Sequence, residues 1–202
     1  MINDTYKTIK NTSEGVYREK GSKFLAVAIP VETEEAVKEK LVELQKMHHS
    51  ARHHCYAYIL GFDKSSYRLN DDGEPSGTAG KPIYGQLLSK DITNVLVVVI
   101  RYFGGTKLGV SGLITAYKTA TKSALENNEI IEKQIEAQYC ISFDPIEMEQ
   151  VMKILKGNDI SILQHYFQEQ QMIDFKVRKK KEQHILSMLA QIEGLSYTKL
   201  PV

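Results

Sequence analysis

The chain has 202 residues, 42% of them hydrophobic and 25% charged, and its formal net charge is +1. This length allows one large or two small domains, and the composition is that of a globular protein. Residues 1–132 carry 17 Lys and Arg against 16 Asp and Glu, and residues 133–202 carry 9 against 9, which disfavours a protein that holds nucleic acid by bulk charge. No apolar run approaches the roughly 20 residues of a bilayer span, and the N-terminus lacks the apolar core of a signal peptide. We therefore expect a cytoplasmic protein without membrane contact.

The first third of the chain predicts strands followed by a helix. Residues 6–9 form a short strand, and residues 15–31 form a hairpin that breaks at Gly21. Thr33 then begins a helix, followed by acidic residues where the helix dipole favours them. The apolar residues of this helix recur at helical spacing to about His48.

Four of the six histidines and one cysteine lie within residues 48–55. If residues 51–60 form a strand, His53 and Cys55 share one face and His54 points away from it. Two neighbouring ligands are too few for zinc, which needs three or four. We expect a structural face without a metal, on which one imidazole is poised to titrate near neutral pH.

An irregular loop follows a predicted strand at residues 65–70. Residues 70–83 hold three acids, three glycines, two prolines and two hydroxyl residues, which excludes regular structure. The loop is either merely solvated or a functional site, since binding residues often lie on loops. Thr78 is placed to cap the helix that follows. Asp72 and Glu74 are candidates to bind a cation or a cationic partner; a general acid and base pair is the alternative, but no nucleophile accompanies it.

The most apolar stretch of the chain is residues 95–100, with six apolar residues in a row. Such a run predicts a strand buried on both faces, at the centre of a sheet. A glycine-rich turn and a helix from Ser111 follow, so backbone N–H groups and the positive end of the helix face whatever lies above the turn. The candidate binding residues of this turn are Arg101, Tyr102, Gly104, Gly105, Lys107 and Gly109.

Two well-known glycine motifs are excluded at this turn. Gly104 and Gly109 have the spacing of a P-loop, but Val110 stands where that motif needs a lysine. The G-x-G-x-x-G pattern of dinucleotide-binding proteins does not occur either. The remaining alternatives are an anion or partner site and glycines that only permit positive φ and close packing.

The chain carries two motifs that together closely resemble the paired signature of the IMPACT/YigZ family. They are DGEPSGTAG at residues 72–80 and VIRYFGGTKLG at residues 99–109, and HHCYAY at residues 53–58 is similar to a third common stretch. The resemblance covers about residues 15–125. It adds Gly80 and His53 to the candidate binding residues.

The resemblance implies an α+β fold with two domains. Residues 1–130 are expected to form a ribosomal protein S5 domain 2-like α/β domain. Residues 133–202 are expected to form a ferredoxin-like domain similar to the last domain of elongation factor G. Eukaryotic members of the family join an extra N-terminal domain to this region and act in translational stress control, by competing for an activator of an initiation-factor kinase. We expect this chain to begin directly at the shared domain, as bacterial members do.

The second half predicts the same ferredoxin-like plan independently, in the order βαββαβ. After a linker at residues 129–133, the expected elements are a strand at 135–143, a helix begun by Asp144 and ended at Gly157, a hairpin within 160–177, a helix at 182–192 and a strand at 195–200. The basic run Arg178, Lys179, Lys180 and Lys181 is either a solvated turn or an RNA contact. The aromatic residues lack the pattern of an RNA recognition motif.

Three hypotheses of function remain. The preferred one is a regulatory binding protein of the translation machinery that contacts the ribosome, RNA or a translation factor and needs no cofactor. The alternative is an enzyme acting on a small phosphorylated or anionic metabolite, in which residues 104–112 hold the anion and Asp72, Glu74 or His53 transfers the proton. In the third, the two loops serve only to pack on each other. A contact of Arg101 with Asp72 or Glu74 is expected in all three.

Overall fold

The structure, a computed structural model, describes residues 4–200. Its contacts divide the chain into two compact units, one of residues 6–133 and one of residues 134–200 together with Asp4 and Thr5. Each unit has its own hydrophobic core. The predicted domains were residues 1–130 and 133–202.

The first unit is built on an antiparallel sheet with helices on both faces. Its elements in chain order are β1 (Thr5–Ile9), β2 (Ser13–Glu19), β3 (Ser22–Pro30), α1 (Glu34–Met47), β4 (His53–Leu60), β5 (Ser66–Asn70), α2 (Gly80–Ser89), β6 (Val95–Tyr102), α3 (Gly109–Glu126) and β7 (Ile130–Gln134). The main sheet has the strand order β2-β3-β6-β4-β5, and each neighbouring pair is antiparallel.

Strand β6 is the centre of this sheet, as its unbroken apolar run predicts. Val95, Val97 and Val99 pack in a core with α2 and α3. The alternate residues, Leu96, Val98 and Ile100, pack in a second core with α1 on the opposite face. All six are completely buried. The unbroken apolar run thus reflects a strand covered on both sides.

The predicted hairpin at residues 15–31 is strands β2 and β3. Lys20 and Gly21 form its two-residue turn, both with positive φ (45° and 79°). Turns of this kind match the twist of the flanking strands and favour glycine. The predicted N-cap of α1 is also present, because the Thr33 hydroxyl oxygen accepts from Ala36 N at 3.1 Å.

The prediction of a linker at residues 129–133 is wrong. Residues 130–134 form strand β7, which pairs with β1 in a separate small sheet. Most side chains of β7 are exposed, so the segment lacks the alternation that identifies a half-buried strand. Pairing with a segment more than a hundred residues away made it a strand.

The second unit has the predicted βαββαβ order and is ferredoxin-like. Its elements are β8 (Glu136–Phe143), α4 (Met148–Gly157), β9 (Ser161–Tyr166), β10 (Gln171–Arg178), α5 (Lys179–Leu189) and β11 (Ser196–Lys199). The sheet order is β11-β8-β10-β9, all antiparallel. One sheet face, including Phe143 and Phe175, packs against Leu155 of α4 and Ile185 of α5.

The boundaries of both helices in this unit differ from the prediction. Asp144 caps as expected, accepting from Ile146 N at 3.0 Å, although it caps a 3₁₀ turn (Pro145–Glu147) that leads into α4. Helix α5, however, begins at Lys179 rather than at Glu182. Lysine is a good helix former, so a basic run directly after a strand does not require a turn.

Candidate functional site

A buried ion pair joins the two motif loops of the first unit. The acidic loop (residues 71–79) connects β5 to α2, and the glycine loop (residues 103–108) connects β6 to α3. Arg101 Nη1 donates to Glu74 Oε1 at 2.5 Å, and the two side chains are only 7% and 4% exposed. The expected contact of Arg101 with the acidic loop is therefore present, and its partner is Glu74. The guanidinium carbon of Arg101 also lies 5.4 Å from the ring centre of Phe24 and 5.5 Å from that of Phe103.

The ion pair continues into a buried cluster of hydrogen-bonding groups. The Tyr117 hydroxyl of α3 donates to Glu74 Oε1 at 2.9 Å, and Cys55 Sγ lies 3.0 Å from Asp71 O and 3.2 Å from the Tyr117 oxygen. Burial raises the pKa of the Cys55 thiol to about 12 and raises the pKa of Tyr117 above its usual value. Both groups stay protonated at neutral pH and act as donors. Cys55 is accordingly a structural thiol and not a nucleophile.

Asp71, which was not among the predicted site residues, organises the acidic loop. Its carboxylate accepts from the backbone N–H groups of Gly77, Ala79 and Gly80 at 2.8, 3.0 and 2.8 Å, and so caps α2. Thr78 was predicted as the cap, and that prediction is wrong. Its hydroxyl donates to Pro75 O at 2.7 Å instead. A cap that reaches back across eight residues has no local sequence signal.

Asp72 and the two histidines of β4 hold the acidic loop against the sheet edge. Asp72 Oδ2 accepts from His54 N at 2.6 Å. His53 Nδ1 lies 2.7 Å from Asp72 O, and since a carbonyl only accepts, Nδ1 carries the hydrogen. Neutral His53 is left with Nε2 as an acceptor. As predicted, the alternation of β4 places Cys55 in the core under α2 and α3, and Tyr58 in the core under α1.

Close packing or a positive φ explains the glycines at positions 104, 105 and 109. A Cβ on Gly104 would lie 1.9 Å from the carbonyl carbon of Gly21, so the loop packs directly on the β2–β3 turn. Gly105 and Gly109 have φ of 89° and 72°. These facts support the packing alternative for the glycines themselves, but they do not exclude a site beside them.

A cavity of about 500 Å³ opens beside the ion pair. Glu74 and Pro75 line it from the acidic loop, and Arg52 and His53 line it from the start of β4. The glycine loop and the N-terminal part of α3 provide the other wall, which consists of Phe103, Lys107, Leu108, Gly109, Val110 and Leu113. Arg101 lies between the two walls. The loops that carry the two motifs therefore enclose one common space.

The predicted site residues divide into two groups. Those that line the cavity are His53, Glu74, Arg101, Lys107 and Gly109. The others do not line the cavity. They are Asp72, Thr78, Gly80, Tyr102, Gly104 and Gly105.

Tyr102 follows Arg101 in the sequence but does not line the cavity. Its hydroxyl lies 2.7 Å from His48 Nδ1, and it packs in the core under α1. Consecutive residues of a strand point to opposite faces, so Arg101 and Tyr102 cannot share the cavity. Strand alternation could have shown this from the sequence.

Several cavity residues were not among the candidates. Phe103 in the motif and Val110 directly after it are half-exposed apolar residues, at 50% and 59% exposure. Arg52 precedes β4 and is exposed. Exposed apolar and cationic side chains beside a predicted site loop are the signal that would have selected them.

The basic run of the second unit is largely engaged within that unit. Arg178 Nη2 donates to Asp4 Oδ2 at 2.9 Å, and Lys179 Nζ to Glu182 Oε2 at 2.5 Å. Lys181 Nζ donates to Asn158 O at 2.9 Å. Lys180 is exposed in the first turn of α5.

Residues 4–200 offer neither a cluster of metal ligands nor a membrane-spanning helix. No three His, Cys, Asp or Glu side chains there converge in a way that suits a metal ion. Nor does this part of the chain contain a helix with the length and apolar character of a membrane span.

Comparison with known proteins identifies relatives over most of the chain. Residues 20–125 match the Impact N-terminal domain. The chain is 37% identical over 131 residues to the IMPACT family member YvyE of Bacillus subtilis, covering 65% of this chain and 60% of that protein. It is 32% identical over 151 residues to the IMPACT family member YigZ of Escherichia coli, covering 74% of each.

A solved structure has the same architecture throughout. This crystal structure of a hypothetical protein superposes with a TM-score of 0.76 at 26% identity and covers 99% of both chains. The domain match includes both loops that enclose the cavity. The chain belongs to the IMPACT family.

Proposed function

We propose that this protein is a cytoplasmic regulatory binding protein of the translation machinery, which contacts the ribosome, RNA or a translation factor through the cavity of its first unit. The observation that carries the proposal is that the two motif loops meet at the Arg101–Glu74 pair and enclose one cavity. Membership of the IMPACT family supports the link to translation, because the family resemblance implies such a role for its eukaryotic members.

The chemistry of the cavity supports binding over catalysis. Glu74 already accepts from Arg101 and Tyr117, and Asp72 accepts from a backbone N–H group. Neither carboxylate is a free base. Arg52 and Lys107 are exposed on opposite walls and favour an anionic partner.

Co-sedimentation with ribosomes tests this proposal. We expect the wild-type protein to sediment with ribosomal particles at low salt and to be released as salt rises, since contacts with phosphates are salt-dependent. Lys107→Glu and Arg52→Glu are expected to weaken sedimentation by roughly tenfold each, by charge reversal at the cavity. The matched control is Lys38→Glu, an exposed charge on α1, across the sheet from the cavity. A protein that stays entirely in the supernatant at low salt, or a control variant that fails as badly as Lys107→Glu, would contradict the proposal.

The basic run is proposed as a second RNA contact. Lys180 offers the clearest test because it is exposed and lies in the first turn of α5. We expect Lys180→Glu to reduce sedimentation less than Lys107→Glu does. An unchanged profile would remove the second unit from the proposal.

An enzyme of small anionic metabolites is the second candidate, and the size of the cavity favours it. Small-molecule sites typically measure about 300–1,000 Å³. His53, with Nδ1 bound to Asp72 O, presents Nε2 as an acceptor and is the candidate base. Release of phosphate from a panel of phosphate monoesters, lost in His53→Gln, would support this candidate. The absence of turnover with every ester would contradict it.

A further inference from the structure

The lining of the cavity carries positive charge that the protein does not neutralise. Its permanent charges are Arg52, Arg101 and Lys107 against Glu74 alone. Glu74 is paired with Arg101. Among residues 4–200, no carboxylate forms an ion pair with Arg52 or Lys107. Two positive charges are left for a ligand, which suits a phosphate monoester better than a single carboxylate.

Arg101 is a buried donor that is only partly used. Its side chain is more than nine-tenths buried and lines the cavity. Nη1 donates to Glu74, whereas buried Nε has no hydrogen-bond partner within residues 4–200. A guanidinium carries five N–H donors, and a buried one normally has its donors satisfied. The guanidinium that lines the cavity therefore has donor capacity that residues 4–200 do not use.

The N-terminus of α3 faces the same space. Gly109 and Val110, its first two residues, line the cavity. Leu108 in the N-cap position provides no side-chain acceptor, and the first turn has no acidic residue. The first N–H groups of a helix have no partner within the helix and attract anions. An 18-residue helix thus directs its positive end toward the space that Arg101 and Lys107 line.

The lining also has apolar residues, which suit a flat body attached to the anion. The Phe103 ring is 50% exposed and lies next to the Arg101 guanidinium. Pro75 and Val110 extend this apolar surface. Exposed aromatic rings beside cations are the means by which proteins stack nucleobases.

We infer that the cavity binds a nucleoside monophosphate unit, with the phosphate held by Arg101, Lys107 and the N-terminus of α3, and the base stacked on Phe103. This inference rests on the proposed function, since it names the chemistry of the partner that the cavity receives. The same unit occurs as a free nucleotide and as the 5′-phosphorylated end of an RNA chain. Arg101 is a binding residue here, and Glu74 positions it.

Calorimetric titration of the full chain with adenosine 5′-monophosphate (AMP), adenosine and inorganic phosphate tests this inference. AMP is expected to bind at least about tenfold more tightly than adenosine or phosphate, because only AMP contacts both the cationic and the apolar residues of the lining. Phe103→Ala is expected to weaken AMP roughly tenfold and to leave phosphate unchanged. Lys107→Ala is expected to weaken both ligands, and Lys38→Ala neither. Equal binding of AMP and adenosine, no heat of AMP binding, or full AMP affinity in Phe103→Ala would each overturn the inference.

A second arm separates the two sources of the ligand. A short RNA with a 5′-phosphate is titrated beside the same RNA with a 5′-hydroxyl. Tighter binding of the phosphorylated RNA than of AMP assigns the site to an RNA end, and equal or tighter binding of AMP assigns it to the free nucleotide. If both RNAs bind more tightly than AMP, and equally with and without the 5′-phosphate, the inferred site is contradicted.

The two proposals fail separately. Ribosome sedimentation that Lys107→Glu weakens, in a protein that does not bind AMP, would retain the proposed function and overturn this inference. AMP binding by a protein that never sediments with ribosomes would do the opposite.

Discussion

Each unit contains a glutamate that accepts from a tyrosine hydroxyl and pairs with a cation, but the two clusters differ in burial. In the first unit Glu74 meets Tyr117 and Arg101, and both charged side chains are less than a tenth exposed. In the second unit Glu182 accepts from Tyr139 at 2.6 Å and pairs with Lys179, which is 38% exposed. The same chemical groups therefore form a water-excluded ion pair in one unit and a partly hydrated one in the other.

The difference in burial determines what each cluster does. A buried pair is expensive to break, because the remaining charge stays without water. An exposed pair contributes little, since water replaces the lost partner. The first cluster can hold two loops in a fixed arrangement at the edge of a cavity, whereas the second only fastens the first turn of α5 to the sheet.

The largest expected effect is that of Arg101→Ala. It leaves Glu74 buried without a cation, and we expect a loss of about 3–5 kcal/mol in the free energy of unfolding. This corresponds to a fall in melting temperature on the order of 10 °C for a chain of this size. Urea denaturation of the full chain measures it.

The double variant Arg101→Met with Glu74→Gln is the matched control. It removes both charges, so we expect it to recover a substantial part of the lost stability. A loss below about 1 kcal/mol in Arg101→Ala would show that Glu74 is hydrated, and the contrast between the clusters would disappear.

The two tyrosines provide the next comparison. Tyr117→Phe deprives both Glu74 and Cys55 of a buried partner, and we expect a cost of about 1–3 kcal/mol. Tyr139→Phe removes one donor from a Glu182 that retains lysine partners, so about 1 kcal/mol or less is expected. Melting curves of the two variants side by side measure the difference. Equal losses would mean that burial is not what distinguishes the clusters.

Acid affects the two units in different pH ranges. Burial lowers the pKa of His54 below its ordinary 6.5, against the opposing charge of Asp72. The unfolded chain then binds more protons, so the stability of the first unit is full above about pH 6.5 and falls as the pH drops toward the folded-state pKa. For Glu182, burial acts to raise the pKa, but hydrogen bonds from Lys179 and Tyr139 outweigh it and lower the pKa below 4.5. Its contribution is present above about pH 4.5 and is lost below that.

Stability measured from pH 8 to pH 3 checks both directions. His54→Gln is expected to flatten the curve just below pH 6.5, and Glu182→Gln to flatten it below pH 4.5. If His54→Gln left the whole profile unchanged, the imidazole would not be buried in its neutral form.

The smallest expected effect is that of Lys179→Ala. Its ion pair is partly exposed and lies at a helix N-terminus, where a lysine opposes the helix dipole. We expect a change of about 0.5 kcal/mol or less, reduced further at high salt. Denaturant midpoints at two salt concentrations measure it. A loss as large as that of Arg101→Ala would show that the second cluster is as dry as the first.

Much of the fold follows from local pattern. The apolar run at residues 95–100 predicts a doubly covered strand, and the residues of α1 and α3 recur at helical spacing. These signals are strong because burial of a whole face imposes a period on the sequence. Strand β7 has mostly exposed side chains and therefore carries no such signal.

The site was only partly predictable. The motif residues around Glu74 and Arg101 identified the two loops, and their charges predicted the contact. The role of Tyr117 could not be predicted, because periodicity reports the direction of a side chain and not the partner of its hydroxyl. Asp71 and Arg52 were not predicted as site residues. Their roles depend on backbone that lies several residues or a whole strand away in the chain.

By itself, the sequence determined most of the elements, their order, the βαββαβ plan of the second half and the family to which the chain belongs. The tertiary structure decided which polar groups meet. In particular, it decided that Glu74 and not Asp72 forms the buried ion pair with Arg101. Local periodicity is a property of one segment and its solvent exposure. A hydrogen bond between residues 27 or 43 positions apart depends on strand order, register and loop path together, and these exist only in the folded chain.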